Sequence, residues 1–344
     1  MKSIVATLPT VVISNWVHPE VLDLLMRTCT VVPNQAREAL TGDELLRRCR
    51  DAHGLMAFMP ERIDDAFLAA CPHLRIIACA LKGYDNFDVA ACTRRGVWLT
   101  IVPDLLTAPT AELAIGLMIG LSRNIAQGDR LVRGGQFHGW RPVLYGQGID
   151  GSTVGLFGAG AIGKAVARRL AGFCTTLLYA DNAPLSPDEE EELRLRRVPR
   201  DELLGRCEFV ILCLPLQPDT RHFVDRDFLA RIKPGAFLVN ISRGSLVDEA
   251  AVADALESGA VGGYAADVFA FEDLALADRP NDIESRLLVM ADKTLFTPHL
   301  GSAVDRVRRD IALQAASSLL EGLGGAVPSG AVNRPLTRRS TVGP

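Results

Sequence analysis

Short apolar runs alternate with helix-length segments from one end of the chain to the other. In the first third these runs predict strands at Thr10–Ser14, Leu55–Met59, Leu74–Leu81 and Val97–Ile101. Further strands are predicted at Thr153–Phe157, Thr175–Ala180, Glu208–Leu214, Ala236–Asn240, Gly263–Val268 and Thr294–Thr297. Segments of about 10–15 residues with helical patterning separate many of them, the signature of β-α-β units and a parallel sheet. Several runs are apolar without alternation, as expected where helices cover both faces of a sheet.

This alternation forms two blocks. The first closes at Val102-Pro103-Asp104. The second opens with a helix predicted over Thr110–Gln127, whose apolar positions Leu113, Ala114, Leu117, Met118 and Leu121 recur at helical spacing. A last helix is predicted from about Ser302 to Leu323 and is expected to return to the first block, making the N-terminal domain discontinuous. The expected fold is α/β, with two doubly wound domains: residues 1–103 with 299–330, and residues 104–298. The stretch from Pro328 is rich in Pro, Ser, Gly and Arg, and residues 331–344 are expected to form a flexible tail, disordered beyond about residue 335. The acidic run Asp188–Glu192 reads as the solvated start of a surface helix.

The 344 residues suit two domains at about 150 residues each. Charge changes the picture by exclusion. With 37 basic and 41 acidic residues the formal net charge is −4, so no excess of cations advertises a nucleic-acid or anionic-membrane partner. The longest apolar stretch, Leu113–Leu121, is far shorter than the roughly 20 residues of a bilayer span. The N-terminus carries no signal-peptide pattern. Eight cysteines without a C-x-x-C pair, two of them (Cys79 and Cys213) inside apolar runs, read as reduced, buried thiols and fit a cytoplasmic location.

Val154-Gly155-Leu156-Phe157-Gly158-Ala159-Gly160-Ala161-Ile162-Gly163 carries the strongest local signal. A strand runs into G-x-G-x-x-G and a helix follows. Gly158 permits the tight turn, Gly160 lets a pyrophosphate approach the backbone, and Gly163 lets helix pack on strand. The next predicted strand ends at Asp181, about 20 residues beyond the glycines, where an acidic residue accepts the adenosine ribose hydroxyls. A carboxylate there repels a 2′-phosphate, and Asn182 rather than Arg follows it, so NAD is expected over NADP. This is a Rossmann-like site, and nothing in the pattern calls for a metal.

Three later segments lie at predicted C-terminal strand ends, where open α/β sheets bind ligands. Asn240-Ile241-Ser242-Arg243-Gly244 puts Arg243 on a turn, Asp267-Val268-Phe269-Ala270-Phe271-Glu272 supplies two carboxylates, and Thr297-Pro298-His299-Leu300-Gly301-Ser302 supplies an imidazole. Singly, each residue has an ordinary reading: a surface Arg, a solvated Glu, a packed His. Together beside a dinucleotide motif they resemble the D-isomer-specific 2-hydroxyacid dehydrogenase superfamily, over about residues 10–325. The resemblance implies that Arg243 binds an anionic substrate, His299 is the general acid/base, and Glu272 orients it. It also places cofactor contacts at Ala161, Ile162, Asn182, Leu106, Thr110, Cys213, Pro215, Ser242, Asp267, His299 and Gly301. The domain of 104–298 is then the NAD-binding one and the other the substrate domain, with homodimers formed through the NAD-binding domains. The apolar Leu113–Leu121 segment reads either as a contributor to that interface or as a core helix.

Lys82 narrows the substrate. It follows the buried-looking Ile76-Ile77-Ala78-Cys79-Ala80-Leu81, at a strand end. With Arg243 it would supply two cations, which suits a compact oxyanion of more than one negative charge better than a monocarboxylate. Ala78-Cys79-Ala80-Leu81-Lys82-Gly83, Met56-Ala57-Phe58-Met59-Pro60, Gly96-Val97-Trp98-Leu99-Thr100, Val102-Pro103-Asp104-Leu105-Leu106-Thr107, Gly139-Trp140 with Tyr145, and Asp278-Arg279-Pro280 are similar to the phosphite (phosphonate) dehydrogenases. That resemblance implies a pocket walled by Met59, Gly83, Trp140, Tyr145 and Ser302, with Lys82 joining Arg243, Glu272 and His299. It implies the reaction phosphite + NAD⁺ + water → phosphate + NADH. Asp181 stands where these enzymes have a longer Glu, Asp273 stands where many of the wider superfamily have Pro, and residues 330–344 have no counterpart; none of the three is expected to touch the chemistry. The alternatives are a 2-hydroxyacid dehydrogenase of the glyoxylate/hydroxypyruvate reductase kind, and a non-catalytic NAD-sensing protein like the corepressors of this fold.

Overall fold

The computed structural model describes residues 7–335, so the tail expected beyond residue 335 lies outside them. The chain divides into two compact units, one running to Leu106 and resuming at Val304, the other spanning Thr107–Ala303.

In the first unit β1 (Thr10–Ile13), β2 (Thr30–Pro33), β3 (Gly54–Ala57), β4 (Ile76–Cys79) and β5 (Trp98–Thr100) form a parallel sheet in the order β2-β1-β3-β4-β5. Side chains alternate across a strand, and here each face feeds its own core. Val12, Ile77 and Cys79 join one core, while Val11, Ile13, Ile76 and Ala78 join the other. The helix Asp305–Leu323 closes the second of these with Ile311, Ala312, Ala315, Ala316 and Leu319. Its return makes the first unit discontinuous.

The second unit holds β6 (Thr153–Phe157), β7 (Thr176–Ala180), β8 (Leu195–Arg197), β9 (Phe209–Leu212), β10 (Ala236–Asn240), β11 (Val261–Ala266) and β12 (Thr294–Phe296). They pair in parallel in the order β12-β11-β10-β9-β6-β7-β8. The order reverses between β6 and β9. Val210, Leu212 and Leu238 pack on one face, and Phe209, Ile211 and Val239 on the other.

Several elements depart from the sequence pattern, each for a physical reason. β2 and β8 were not predicted, because both are short edge strands whose half-exposed residues lack a continuous apolar run. The helix expected over Thr110–Gln127 runs Thr107–Ser122 and is followed by a separate helix, Ile125–Arg133. Asn124, with φ of 54°, breaks it by entering the left-handed region. Leu117, Met118 and Leu121 are buried in the second unit's own core. His299 belongs to the second unit rather than the first. Residues 331–335 are docked, not loose: Ala331 pairs with Thr100, and Asn333 Oδ1 accepts from Leu99 N at 2.8 Å. Asp188–Glu192 do fall in a short helix, Pro187–Leu193, capped by Ser186 and Glu189. Cys79 is fully buried, whereas Cys213 is only partly so.

Glu61 is a buried carboxyl at the end of the first sheet. It accepts from Phe58 N after β3 and from Asn15 Nδ2 (2.9 Å) after β1. Burial pushes its pKa up to about 7, against the pull of those bonds. Its folded-state pKa lies above the ordinary 4.5, so the stability tied to protonated Glu61 is complete below that value and lost as pH rises through about 7. Glu61→Gln cannot ionise, and should lose on the order of 3 kcal/mol less stability than the native chain between about pH 5 and pH 8. Unfolding followed across that range checks it; parallel pH dependences for the two chains would contradict it.

Candidate active site

In the second unit β6 runs into the glycine loop, β7 into Asp181, β9 into Cys213, β10 into Ser242 and Arg243, β11 into Asp267, and β12 into the His299 loop. Parallel strands bring these ends to one edge, with the glycine loop at the reversal of strand order.

Gly158 has φ of 97°, and a β-carbon there would lie 2.6 Å from Cys213 O, so only glycine allows this turn. A β-carbon on Gly160 would meet nothing within 4 Å, which leaves the N-terminus of the helix Ala161–Leu170 open to an incoming phosphate. Asp181 Oδ2 accepts from Ala159 N (2.8 Å) and Oδ1 from Ala183 N (3.0 Å). Each oxygen keeps capacity for a further donor. Bare backbone at a helix N-terminus beside a carboxylate fits the pyrophosphate and ribose of a dinucleotide.

Arg243 follows β10 on a turn shaped by the buried Asn240. Asn240 Oδ1 accepts from Ser242 N (3.1 Å), and its Nδ2 donates to Arg243 O (2.8 Å). Ser242 Oγ donates to Leu212 O (2.8 Å), tying the turn to the end of β9. At Gly244 a β-carbon would fall 1.8 Å from Phe269 C, so the Arg243 turn lies directly against the turn that carries Glu272. Asp273, buried, bridges the same two turns by accepting from Ser245 N at 2.7 Å.

Glu272 uses one oxygen locally, accepting from Phe269 N (2.8 Å), and its other oxygen lies 2.7 Å from His299 Nδ1. A carboxylate at Nδ1 selects the Nδ1–H tautomer and leaves Nε2 as an acceptor. His299 has φ of 55°, unusual for a residue with a β-carbon. Asp267 supports it. This carboxylate is 1% exposed and accepts from Thr297 Oγ1 (2.6 Å), Leu300 N (2.6 Å) and Gly301 N (2.8 Å). Burial pushes its pKa up, while those bonds and the neighbouring His299 pull it down. A β-carbon on Gly301 would stand 3.2 Å from both Asp267 Oδ2 and Thr110 Oγ1, so these three residues converge.

The model of the D-isomer specific 2-hydroxyacid dehydrogenase NAD-binding domain matches residues 115–301. A glyoxylate reductase of Thermococcus onnurineus is 34% identical over 95% of this chain and 96% of its own. Among solved structures, the TT0316 protein of Thermus thermophilus has a TM-score of 0.84 and 31% identity, over 94% of this chain and 100% of that one. A glyoxylate reductase of Paecilomyes thermophila has a TM-score of 0.82 and 27% identity, over 95% and 98% of the two chains. The chain belongs to the D-isomer specific 2-hydroxyacid dehydrogenase family. It is therefore an NAD-dependent oxidoreductase.

The remaining expected site residues of this dehydrogenase are dispersed. Lys82, Gly83, Met59 and Leu106 belong to the first unit. Lys82 is half-buried beyond β4 and makes no hydrogen bond or ion pair among the described residues. Trp140 and Tyr145 lie on the irregular stretch after the helix Ile125–Arg133, 81% and 76% exposed, so the second unit does not enclose them as pocket walls. Ala161, Asn182 and Pro215 are exposed or partly so, and Ile162, Cys213 and Ser302 half-buried.

Sequence reasoning missed what three residues do. Asn240 was named only as a strand end, and Asp273 was expected not to touch the chemistry, whereas it bonds the Arg243 turn to the Glu272 turn. Arg308 did leave a signal, because it stands in line with the buried stripe Ile311, Ala312 and Ala315 of the last helix. It donates to Ala80 O at 3.3 Å, close in sequence to Lys82, and burial lowers its pKa.

Asp273→Ala strips Ser245 N–H of its acceptor, a loss of about 1–3 kcal/mol. The Arg243 turn should loosen, raising the substrate KM about tenfold while NADH affinity stays put and Asp273→Asn retains part of the effect. Steady-state kinetics with a parallel NADH titration checks this; an unchanged KM would sink it.

Proposed function

We propose that this dehydrogenase oxidises phosphite to phosphate. Lys82 carries the reading: a half-buried cation without a counter-ion among the described residues, at a strand end that also receives Arg308. A second cation at such a place favours an anion of more than one charge.

In this reading Arg243 binds substrate oxygens and offsets charge that grows on them, and Lys82 is the cation that favours a multiply charged anion. His299 takes a proton at Nε2 from the water that attacks phosphorus, while Glu272 holds the ring through Nδ1. The new P–O bond replaces the P–H bond. NAD, when bound, accepts the hydride with the electron pair of that bond. The glycine loop and Asp181 would hold its pyrophosphate and adenosine ribose.

A second reading, interconversion of a 2-hydroxy acid and its 2-oxo acid, has its own support. Two of the relatives named above are glyoxylate reductases, and kinship favours this reading more directly than it favours phosphite. The same Arg243, Glu272 and His299 serve it, with His299 taking the proton from a substrate hydroxyl.

We also assign the exposed apolar side chains Ile125, Val132, Phe137, Trp140 and Val143 to contact with a second copy of the chain. Sedimentation as a dimer at micromolar concentration is expected, and a monomer would overturn the assignment.

NADH formation, or its consumption with a 2-oxo acid, separates the substrates. Phosphite, D-lactate and D-glycerate are each offered with NAD⁺, and glyoxylate with NADH. Phosphite should be turned over fastest, and Lys82→Ala should cut its kcat/KM by about a hundredfold or more. Turnover of a hydroxy or oxo acid with none of phosphite would establish the second reading in its place.

A further inference from the structure

Two imidazoles and a guanidinium meet at the N-terminal edge of the first sheet. The hydrogen-bond ladder continues one residue below β3 and β4: His53 N donates to Thr10 O (2.8 Å), Arg75 N to His53 O (2.9 Å) and Trp98 N to Arg75 O (2.9 Å). Thr10, His53 and Arg75 therefore stand side by side, while Met59 and Lys82 follow the opposite ends of β3 and β4. The strands between the two edges, each of four residues, span roughly 13 Å. His53 Nδ1 accepts from Thr10 N at 3.0 Å, so the neutral ring carries its proton on Nε2. Burial lowers the His53 pKa, and the positive charges of Arg75 and His73 lower it further. The His73 ring stands 6.3 Å from that of His53, centroid to centroid, at an exposed position. Arg75 is half-buried. Its Nε is sealed from solvent without a hydrogen-bond partner, and the guanidinium has no ion pair among the described residues. Asp51, two residues before His53, is exposed and pairs with none of the three among the described residues. A partly desolvated charge without a counter-ion favours an incoming anion more than a fully hydrated one does.

We propose that His53, His73 and Arg75 form a binding site for a doubly charged tetrahedral oxyanion, phosphate either free or carried on a small ester. Arg75 offers its planar fork to two oxygens, His53 donates from Nε2, and His73 adds a donor on the solvent side. Two neighbouring imidazoles also suit a metal ion, but the Thr10 bond decides against one. A ring nitrogen must be free of its proton to ligate, and shifting the His53 proton to Nδ1 would set it against Thr10 N–H. The site is independent of either substrate reading.

Histidine ring NMR on the full chain tests this, because each imidazole reports its own surroundings. Inorganic phosphate and glycerol 3-phosphate are titrated separately near neutral pH at constant ionic strength, with signals assigned through His53→Gln and His73→Gln. The His53 and His73 signals should shift saturably, with a midpoint unrelated to any shift of His299, which reports on the candidate active site. Arg75→Gln, which keeps the side-chain stem, should weaken that binding by roughly tenfold, and Arg75→Lys should restore part of the loss. His73→Glu changes only an exposed residue and sets a carboxylate against the anion, so it should abolish the shift of His53. The tighter of the two probes identifies the occupant as free ion or ester. No saturable shift, a shift that sodium chloride reproduces, or unchanged affinity in Arg75→Gln or His73→Glu would overturn the proposal.

Discussion

The Asp267 carboxylate is the interaction on which the rest of the second unit's chemistry depends. It is almost wholly removed from solvent, yet both its oxygens are occupied, and three donors come from the loop that follows β12. That loop must hold His299 in the left-handed region, which costs about 1–2 kcal/mol for a residue with a β-carbon. Hydrogen bonds to a charged acceptor contribute about 1.5–3 kcal/mol each, so three of them outweigh the strain. The imidazole is delivered to Glu272 from a loop with a single supported conformation.

The neighbouring turns are held in the same manner. Asn240 shapes the Arg243 turn, Gly244 lets it lie against the Glu272 turn, and Asp273 bonds one to the other. Glu249, buried at the start of the helix Glu249–Ser258, accepts from Ala270 N and Glu284 N. Buried carboxylates thus satisfy backbone N–H groups that tight turns leave without strand or helix partners. The turns that carry guanidinium, carboxylate and imidazole are thus fixed through their own backbone groups. That rigidity suits a reaction in which a proton and a hydride leave in a set geometry.

Much of this was legible in the chain. Unbroken apolar runs such as Phe209–Leu212 announced strands buried on both faces, and G-x-G-x-x-G between strand and helix announced the dinucleotide loop. The edge strands β2 and β8 were hidden because one side of each faces solvent and needs no apolar residue. The break at Asn124 was hidden because asparagine enters the left-handed region without an obligatory marker in its neighbours. In the site, Arg243, Glu272 and His299 stood out by residue type and strand-end position. Asn240 and Asp273 act through backbone groups of the Arg243 turn, so their residue types alone do not reveal them. Lys82 was visible as a residue, but its want of a partner among the described residues became visible only in the folded unit.

Family membership supplies an NAD-dependent oxidoreductase, and the proposed mechanism assigns its reactive groups to the ends of β10, β11 and β12. At its centre stands His299, presented by Asp267 and bonded to Glu272; the proposed mechanism assigns the proton transfer to this imidazole. Comparing turnover of the native protein with His299→Gln, while titrating NADH into both, tests this most directly. The predicted result is a loss of about a hundredfold to ten-thousandfold in kcat with NADH affinity nearly unchanged. Native turnover in His299→Gln would contradict it.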